Sequence, residues 1–379
     1  MKEKFIIILS SLLLFGCQQE ERFVWEAAMS RPAYYVSEGN HVFYLNKGEI
    51  IGSSATLLDI DGSWSKWNSS RSANYSGMMP DSVVVDYGGL NEKLEMCTFR
   101  GGMSLPTQEL EAMFRKGYID ANGKAKKHER IITGMAPGGR ICVWVDHIEI
   151  KRGIVGQKDV YYSSPVIISS EQSRVIDSTQ INDYFKHHPV DYSIWEKPDP
   201  RYELDFGFCS EDGNYGPVFL DTYSREGIAN LFMSNKFYIT HWNIPIGEPS
   251  NLSYGVYYKT KNELENTSFK LQLPVHLKFS WQTQNKETLY CTDIVLPENF
   301  AKRFTTPYLN TQRVDPAPAQ FNRLVFGVEK DGEHCVIWLD GPGKQEKLMR
   351  FKGHFAKRGP SNGIESGGYA TEVEYFDPE

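Results

Sequence analysis

The chain has 379 residues, 40% of them hydrophobic, 23% charged and 13% aromatic, which is enough to bury more than one core. Its formal net charge is -7 and no stripe gathers Lys and Arg, which argues against nucleic-acid binding, since nothing could neutralise a run of phosphates. The densest basic run, KAKKHER from Lys124 to Arg130, reads as a solvated loop or strand end.

At the amino terminus, Lys2 and Lys4 precede an apolar run from Phe5 to Phe15. That run is shorter than the ~20 residues a membrane-spanning helix needs, and the pattern is that of a secretory signal. It ends in LLFGC, Leu13 to Cys17, which resembles the bacterial lipobox. The resemblance implies cleavage before Cys17 and a diacylglycerol on its sulfur; the alternative is an ordinary signal peptide with an incidental Cys. Gln18 follows the Cys where Asp would signal retention, which by the same resemblance implies sorting to the outer membrane of a Gram-negative cell. The acyl chains then provide the anchor, at ~0.8 kcal/mol per buried methylene. Residues 1–16 are thus expected to be a signal peptide and 17–22 a lipidated tether. Removing Lys2, Glu3 and Lys4 leaves a mature net charge of -8.

Residues 23–156 form a first repeat. HVFYL and the stretch Ser82 to Asp86 have the β-branched and aromatic content of strands. From Pro106 to Lys116 the period changes: Leu110, Met113 and Phe114 mark one helical face, Glu109 and Glu111 come early, Arg115 and Lys116 late, and Gly117 stops the turn. IITGMAPGGRICVWVD, Ile131 to Asp146, then returns as LVFGVEKDGEHCVIWLD, Leu324 to Asp340. The echo keeps its spacing upstream. Trp25 precedes Pro32 by seven residues, as Trp242 precedes Pro249, and Pro80 precedes Cys97 by seventeen, as Pro274 precedes Cys291. Gly134 and Gly327, Cys142 and Cys335, and Trp144 and Trp338 complete the series, the Trp pair one residue out of step. The expected architecture is α+β: two tandem duplicated domains, 23–156 and 241–355, each mainly antiparallel strands with one short amphipathic helix. Residues 157–240 are read as a connecting segment with strands, and 356–379 as a loosely ordered tail.

The glycines Gly134, Gly138 and Gly139 around Pro137 suggest a phosphate loop, but no Lys-Ser/Thr pair follows and the next element is a strand. The second copy has Asp331-Gly332 at this place, a hairpin signal, so the shared need is a turn. No G-x-S-x-G, H-E-x-x-H or C-x-x-C occurs, so no catalytic residue, metal or cofactor is assigned. His187-His188 reads as a helix end, and the stretches at 59–62 and 120–123 lack the Gly and closing Glu of a calcium loop. Cys97 and Cys142 lie 45 apart, Cys291 and Cys335 44 apart, which in an oxidising periplasm suggests one disulfide per domain with Cys209 unpaired. Four buried free thiols on facing strands are the alternative.

The run from Pro80 to Val145, with its Leu-Pro helix and GMAPGG hairpin behind a lipobox, resembles a family of uncharacterised proteobacterial lipoproteins. The similarity covers most of the first repeat and, weakened, the second, where GVEKDGEHCVIW departs from the glycine pattern. Some such proteins accompany type VI secretion loci with lipase effectors, which implies an immunity role. The expectation is a non-enzymatic outer-membrane lipoprotein facing the periplasm, held to the membrane by Cys17, that binds and neutralises a periplasmic protein effector. The alternatives are a structural or accessory envelope lipoprotein, or an envelope enzyme acting on lipid or glycan.

Overall fold

Period-two burial builds this protein: along Ser82–Leu90, Val83, Val85 and Tyr87 point inward while Val84 and Asp86 point out. The structure, a computed structural model, describes residues 21–33, 35, 37–56, 63–66, 71–72, 74–93, 95–119, 123–146, 148–162, 191–239, 269–311, 315–357, 364 and 366–377. The chain divides into two units, Met1–Ile181 and Asn182–Glu379.

The first unit contains β1 (Phe23–Ser30), β2 (Ser37–Asn46), β3 (Glu49–Thr56), β4 (Arg71–Ser72), β5 (Asn74–Gly77), β6 (Ser82–Leu90) and β7 (Met96–Ser104). Helix α1 (Thr107–Lys116) follows, then β8 (Tyr118–Ile119), β9 (Ala125–Lys126), β10 (Arg130–Ala136), β11 (Arg140–Val145), β12 (Ile148–Ile154) and β13 (Gln157–Tyr162). Two sheets, in the orders β12-β11-β10-β1-β5 and β13-β7-β6-β2-β3-β4, face each other across one core. Strand β1 runs parallel to β10, and the other pairs in these two sheets are antiparallel. Two tyrosine hydroxyls tie the layers together, Tyr44 donating to the Ile131 carbonyl at 2.9 Å and Tyr87 to that of Ala136 at 2.6 Å. Each satisfies a polar group that would otherwise be buried at a cost.

The second unit contains β14 (Arg201–Ser210), β15 (Tyr215–Ser224), β16 (Ala229–Met233), β17 (Tyr238–Ile239), β18 (Phe269–Gln272), β19 (Pro274–Thr283) and β20 (Leu289–Val295). Helix α2 (Phe300–Thr305), β21 (Tyr308–Asn310), β22 (Ala317–Ala319), β23 (Arg323–Val328), β24 (His334–Gly341), β25 (Lys344–Lys352) and β26 (Thr371–Tyr375) complete it. One sheet runs β17-β14-β23-β24-β25-β26, with β18 also on β14, and the other β16-β15-β19-β20. Its core is dense in aromatics, including Phe206, Phe208, Phe279, Trp281, Phe326 and Phe351.

The two units share one connectivity. Strand β14 lies parallel to β23 as β1 does to β10, the hairpins β23-β24-β25 and β10-β11-β12 correspond, and β20-β19-β15-β16 matches β7-β6-β2-β3. The register shifts just before Trp144 on β11 and just before Trp338 on β24, so even the bulge recurs.

Several expectations are corrected. The architecture is predominantly β, not α+β: among the described residues the helices span only ten and six residues. The first lies where Leu110 and Phe114 recur at helical spacing, but each adds only Leu110 and Phe114, or Phe300 and Phe304, to a core built by strands. Residues 201–239 are not a connection, because β14 is the partner of β23 and β15 of β19. The second unit therefore begins well before residue 241. The strand matching β1, which carries Trp25, is β14, whereas Trp242 and Pro249 lie outside the described residues, as do residues 1–20 with Cys17. The tail is ordered where described: Thr371–Tyr375 pairs with β25, and Gly367, Gly368 and Ala370 bond to the backbone of β20. Among the described residues no helix is long and apolar enough to cross a membrane.

Candidate functional site

The hairpin glycines have steric jobs. Gly138 and Gly139 take φ of 68° and 75° in the turn after Pro137, a region that costs an L side chain energy. Gly134 sits under two indoles: a Cβ there would approach Trp144 to 2.5 Å and Trp64 to 2.6 Å, and those rings meet edge to face at 4.8 Å. Gly332 likewise has φ of 76° and lies against the Tyr215 ring, while its carbonyl accepts from the Trp281 indole at 2.9 Å. Gly327 pairs with Cys209 and Val336, and Trp338 packs on Cys209, Val325 and Val336. These residues shape a hairpin and its packing on the outer face of the sheet.

The cysteines do not pair. Cys97, Cys142, Cys209, Cys291 and Cys335 are all buried and none is in a disulfide. Cys97 points into the first core, but Cys142 alternates with the core residues Ile141 and Val143 and so faces outward. In the second unit the sense is reversed: Cys335 joins the core, and Cys291, between Tyr290 and the inward Thr292 opposite Phe279, faces out. The matched spacing therefore joined residues on opposite faces of their sheets, because a one-residue slip along a strand flips its side chain. The Trp pair is the one in register, and Cys142 corresponds to Val336. Burial pushes the thiols of Cys209 and Cys291 up to about 12. In denaturant without reductant, iodoacetamide should add to all five described thiols and prior reduction should leave the intact mass unchanged. A mass gain of about four hydrogens on reduction would restore the bridges.

Three polar clusters remain. In each unit an acid–Arg–acid set closes the parallel strand pair. Glu26 accepts from Arg130 at 2.8 Å beside Asp146, which meets His128 at 2.7 Å; Asp205 lies 3.9 Å from Arg323, whose guanidinium donates to the fully buried Asp340 at 2.9 Å. Arg323 also lies over the Tyr238 ring at 4.7 Å. These sets occupy equivalent positions, four residues before Gly134 and Gly327 and two after each Trp. The signal lay in the echo, both copies of which end in Asp, but the arginine and first acid meet only once β1 and β14 find their parallel partners.

A second cluster lies on the outer face of β19 and β20. His276 is 3.3 Å from Asp293, Ser366 donates to the same carboxylate, and the His276 ring sits between those of Tyr223 and Tyr369. Burial alone would raise the Asp293 carboxyl, but His276, Ser366 and Lys278 outweigh it and hold the group below its ordinary value. The carboxylate stands between the hydroxyl and the imidazole, an order that does not let His276 deprotonate Ser366. The cluster fastens the tail to β20.

A third group, Glu329, Asp331 and His334, has ligand atoms within 4.8 Å of one another. Arg350 already takes both Glu329 oxygens at 2.7 Å, and Asp331 accepts from the backbone of Glu333 and His334 while meeting the His334 ring at 2.5 Å. The carboxylates are thus committed to closing the hairpin. His187, His188 and residues 59–62 and 120–122 lie outside the described residues. A shallow recess of about 430 Å³ beside α2 is lined by Arg201, Glu203, Lys270, Phe304, Gln320 and Phe321.

Two strands end equivalent sheets of the two units. Strand β12 ends its sheet with Ile148 and Ile154 exposed by 49% and 60%, and β26 ends the corresponding sheet of the second unit. Unpaired edges present ready hydrogen-bonding groups, and most proteins blunt them with charge or cover.

Residues 17–193 match the family model described as Protein of unknown function (DUF2931). The match takes in β1 to β13 and ends before β14, so the second unit's strands, with the same connectivity, lie outside it. No curated protein and no solved structure matches the chain.

Proposed function

We propose that this protein is an outer-membrane lipoprotein, anchored through Cys17 on the periplasmic face, that binds and neutralises a periplasmic protein. The partner class we favour is an antibacterial effector of type VI secretion, such as a phospholipase. The observation that carries the binding role is the outer edge of β12, which pairs with no strand among the described residues and carries two exposed isoleucines. A free strand edge offers main-chain hydrogen bonds to an incoming chain, and flanking apolar side chains supply anchors. LLFGC and the lipoprotein resemblance support the address, which places an inhibitor where an effector attacking phospholipids works.

The test is to express such an effector in the periplasm with and without the protein and to score survival. Cells fed labelled palmitate should mark the wild type and not Cys17→Ser, and the variant should protect less while binding purified effector as before. Label retained on Cys17→Ser would remove the anchor. Failure to bind or rescue, together with turnover of lipid or glycan by the purified chain, would replace binding by an envelope enzyme.

A further inference from the structure

Glu21 ties the start of the first unit to the end of its helix. Its carboxylate accepts from Arg115 at 2.6 Å, and the same guanidinium lies over the Phe23 ring. Glu21 stands four residues beyond Cys17, so covalent geometry alone keeps the two within about 14 Å. A lipid on Cys17 therefore brings the carboxyl end of α1, and whatever is built on it, to the membrane surface.

The β8-β9 hairpin is built on it. Tyr118 pairs with Lys126 and Ile119 with Ala125, and the Tyr118 ring rests on His128, which rests in turn on Phe114 of α1. Tyr118 and Ile119 are exposed by 42% and 67%. Lys116, Lys126 and Lys127 are exposed as well and enter no ion pair, whereas Arg115 and Arg130 are already held by Glu21, Glu111 and Glu26. From Lys116 to Arg130 five basic residues stand against Asp120 and Glu129, a local charge of +3 on a chain whose net charge is -7.

The second unit shows that the fold does not require these lysines. In its equivalent hairpin Tyr308 pairs with Ala319 and Leu309 with Pro318. Thr306 thus stands in the place of Lys116, Ala319 in that of Lys126 and Gln320 in that of Lys127, while Leu309, 58% exposed, keeps the apolar tip of Ile119. The lysines belong to the copy that follows Cys17. We propose that the β8-β9 hairpin docks on a membrane of anionic phospholipids, its lysines among the headgroup phosphates and Tyr118 and Ile119 at the boundary with the acyl chains. Tyrosine favours that boundary, and a basic patch reinforces an acyl anchor by about five-fold in affinity for each lysine. This rests on the lipid anchor proposed above and names the face of the first unit that the anchor presents to the bilayer.

The test uses the full lipidated protein in vesicles of phosphatidylcholine and phosphatidylglycerol that carry a phospholipid with a photo-crosslinker in its headgroup. Crosslinks should fall on residues 116–119 and 124–127 and not on residues 306–310 or 317–320. Lys116→Glu, Lys126→Glu and Lys127→Glu together should lower them at least about ten-fold, and so should high salt on the unaltered chain, which needs no variant to fold. The proposal is overturned by crosslinks spread evenly over both hairpins, by equal crosslinking in vesicles of phosphatidylcholine alone, or by indifference to both the variant and salt. Hairpin lysines shielded from an amine-reactive reagent by a protein partner and not by vesicles would overturn it too. Cys17→Ser, added to the same vesicles at higher lipid concentration, should still crosslink through the hairpin. A wild-type chain that takes up no palmitate yet crosslinks there keeps the surface and removes the anchor. A palmitate-labelled chain whose crosslinks fall elsewhere removes the surface alone.

Discussion

Asp340→Ala should cost the second unit about 3–5 kcal/mol, the largest single polar effect expected in this protein. The side chain is fully buried, accepts from Arg323 at 2.9 Å and from Gln345 at 3.3 Å, and shares that arginine with Asp205. Truncation leaves a guanidinium that is 13% exposed facing a cavity where its closest carboxylate stood. Removing one partner is worse than removing both, so Arg323→Met with Asp340→Leu should recover much of the loss. Urea unfolding of the full chain followed by tryptophan fluorescence checks both arms. Because each unit has its own core, the transition of the second unit should move while that of the first holds its midpoint. An Asp340→Ala shift below ~1 kcal/mol, the range of an exposed ion pair, would place the set at the surface energetically.

Trp281→Ala should destabilise the same unit by a similar ~3–5 kcal/mol, through packing rather than charge. The ring is fully buried, stacks on Tyr290 at 5.1 Å and Phe279 at 5.2 Å, and donates to the Gly332 carbonyl. It also lies over Gly353, where a Cβ would come within 2.2 Å of the indole. Alanine thus opens a void that β19, β20 and the β23-β24 turn all border. Trp281→Phe keeps most of the volume and loses the hydrogen bond, so it should cost roughly 1–3 kcal/mol. Equal losses for the two variants in denaturant titrations would mean that the hydrogen bond, not the packing, dominates.

Local features were legible in the sequence. Leu110 and Phe114 at helical spacing gave α1, Asp331-Gly332 gave the turn between β23 and β24, and the loss of glycines in the second copy identified GMAPGG as a turn. What could not be read depended on pairing across distance. Nothing near Trp25 announces that β1 will lie parallel to β10, and the matched spacing of Trp25 and Trp242 points to a strand after residue 240, whereas Arg201–Ser210 fills that role. The cysteines failed for a subtler reason. Spacing along the chain does not register a bulge, and the Trp pair standing one residue out of step was the trace of it. The acid–Arg–acid sets were missed because Glu26 and Arg130 are 104 residues apart, a separation at which no local pattern survives. TEVEY alternates as a strand does, but with all five residues exposed it buries no face that a hydrophobic pattern could mark.

The parallel pairs also dictate when each half can finish folding. In a chain that emerges amino end first, β1 has no neighbour on its parallel side until β10 arrives about a hundred residues later, and β14 must wait as long for β23. Contacts of such range are slow to form, on the order of milliseconds to seconds for small β domains. During that interval Trp25, Phe206 and Phe208, all destined for the interior, stand in water on incomplete sheets. A chain exported to the periplasm would pass that interval twice, so its yield in cells should depend on holding factors that shield nascent β surface more than on the final stability of either sandwich.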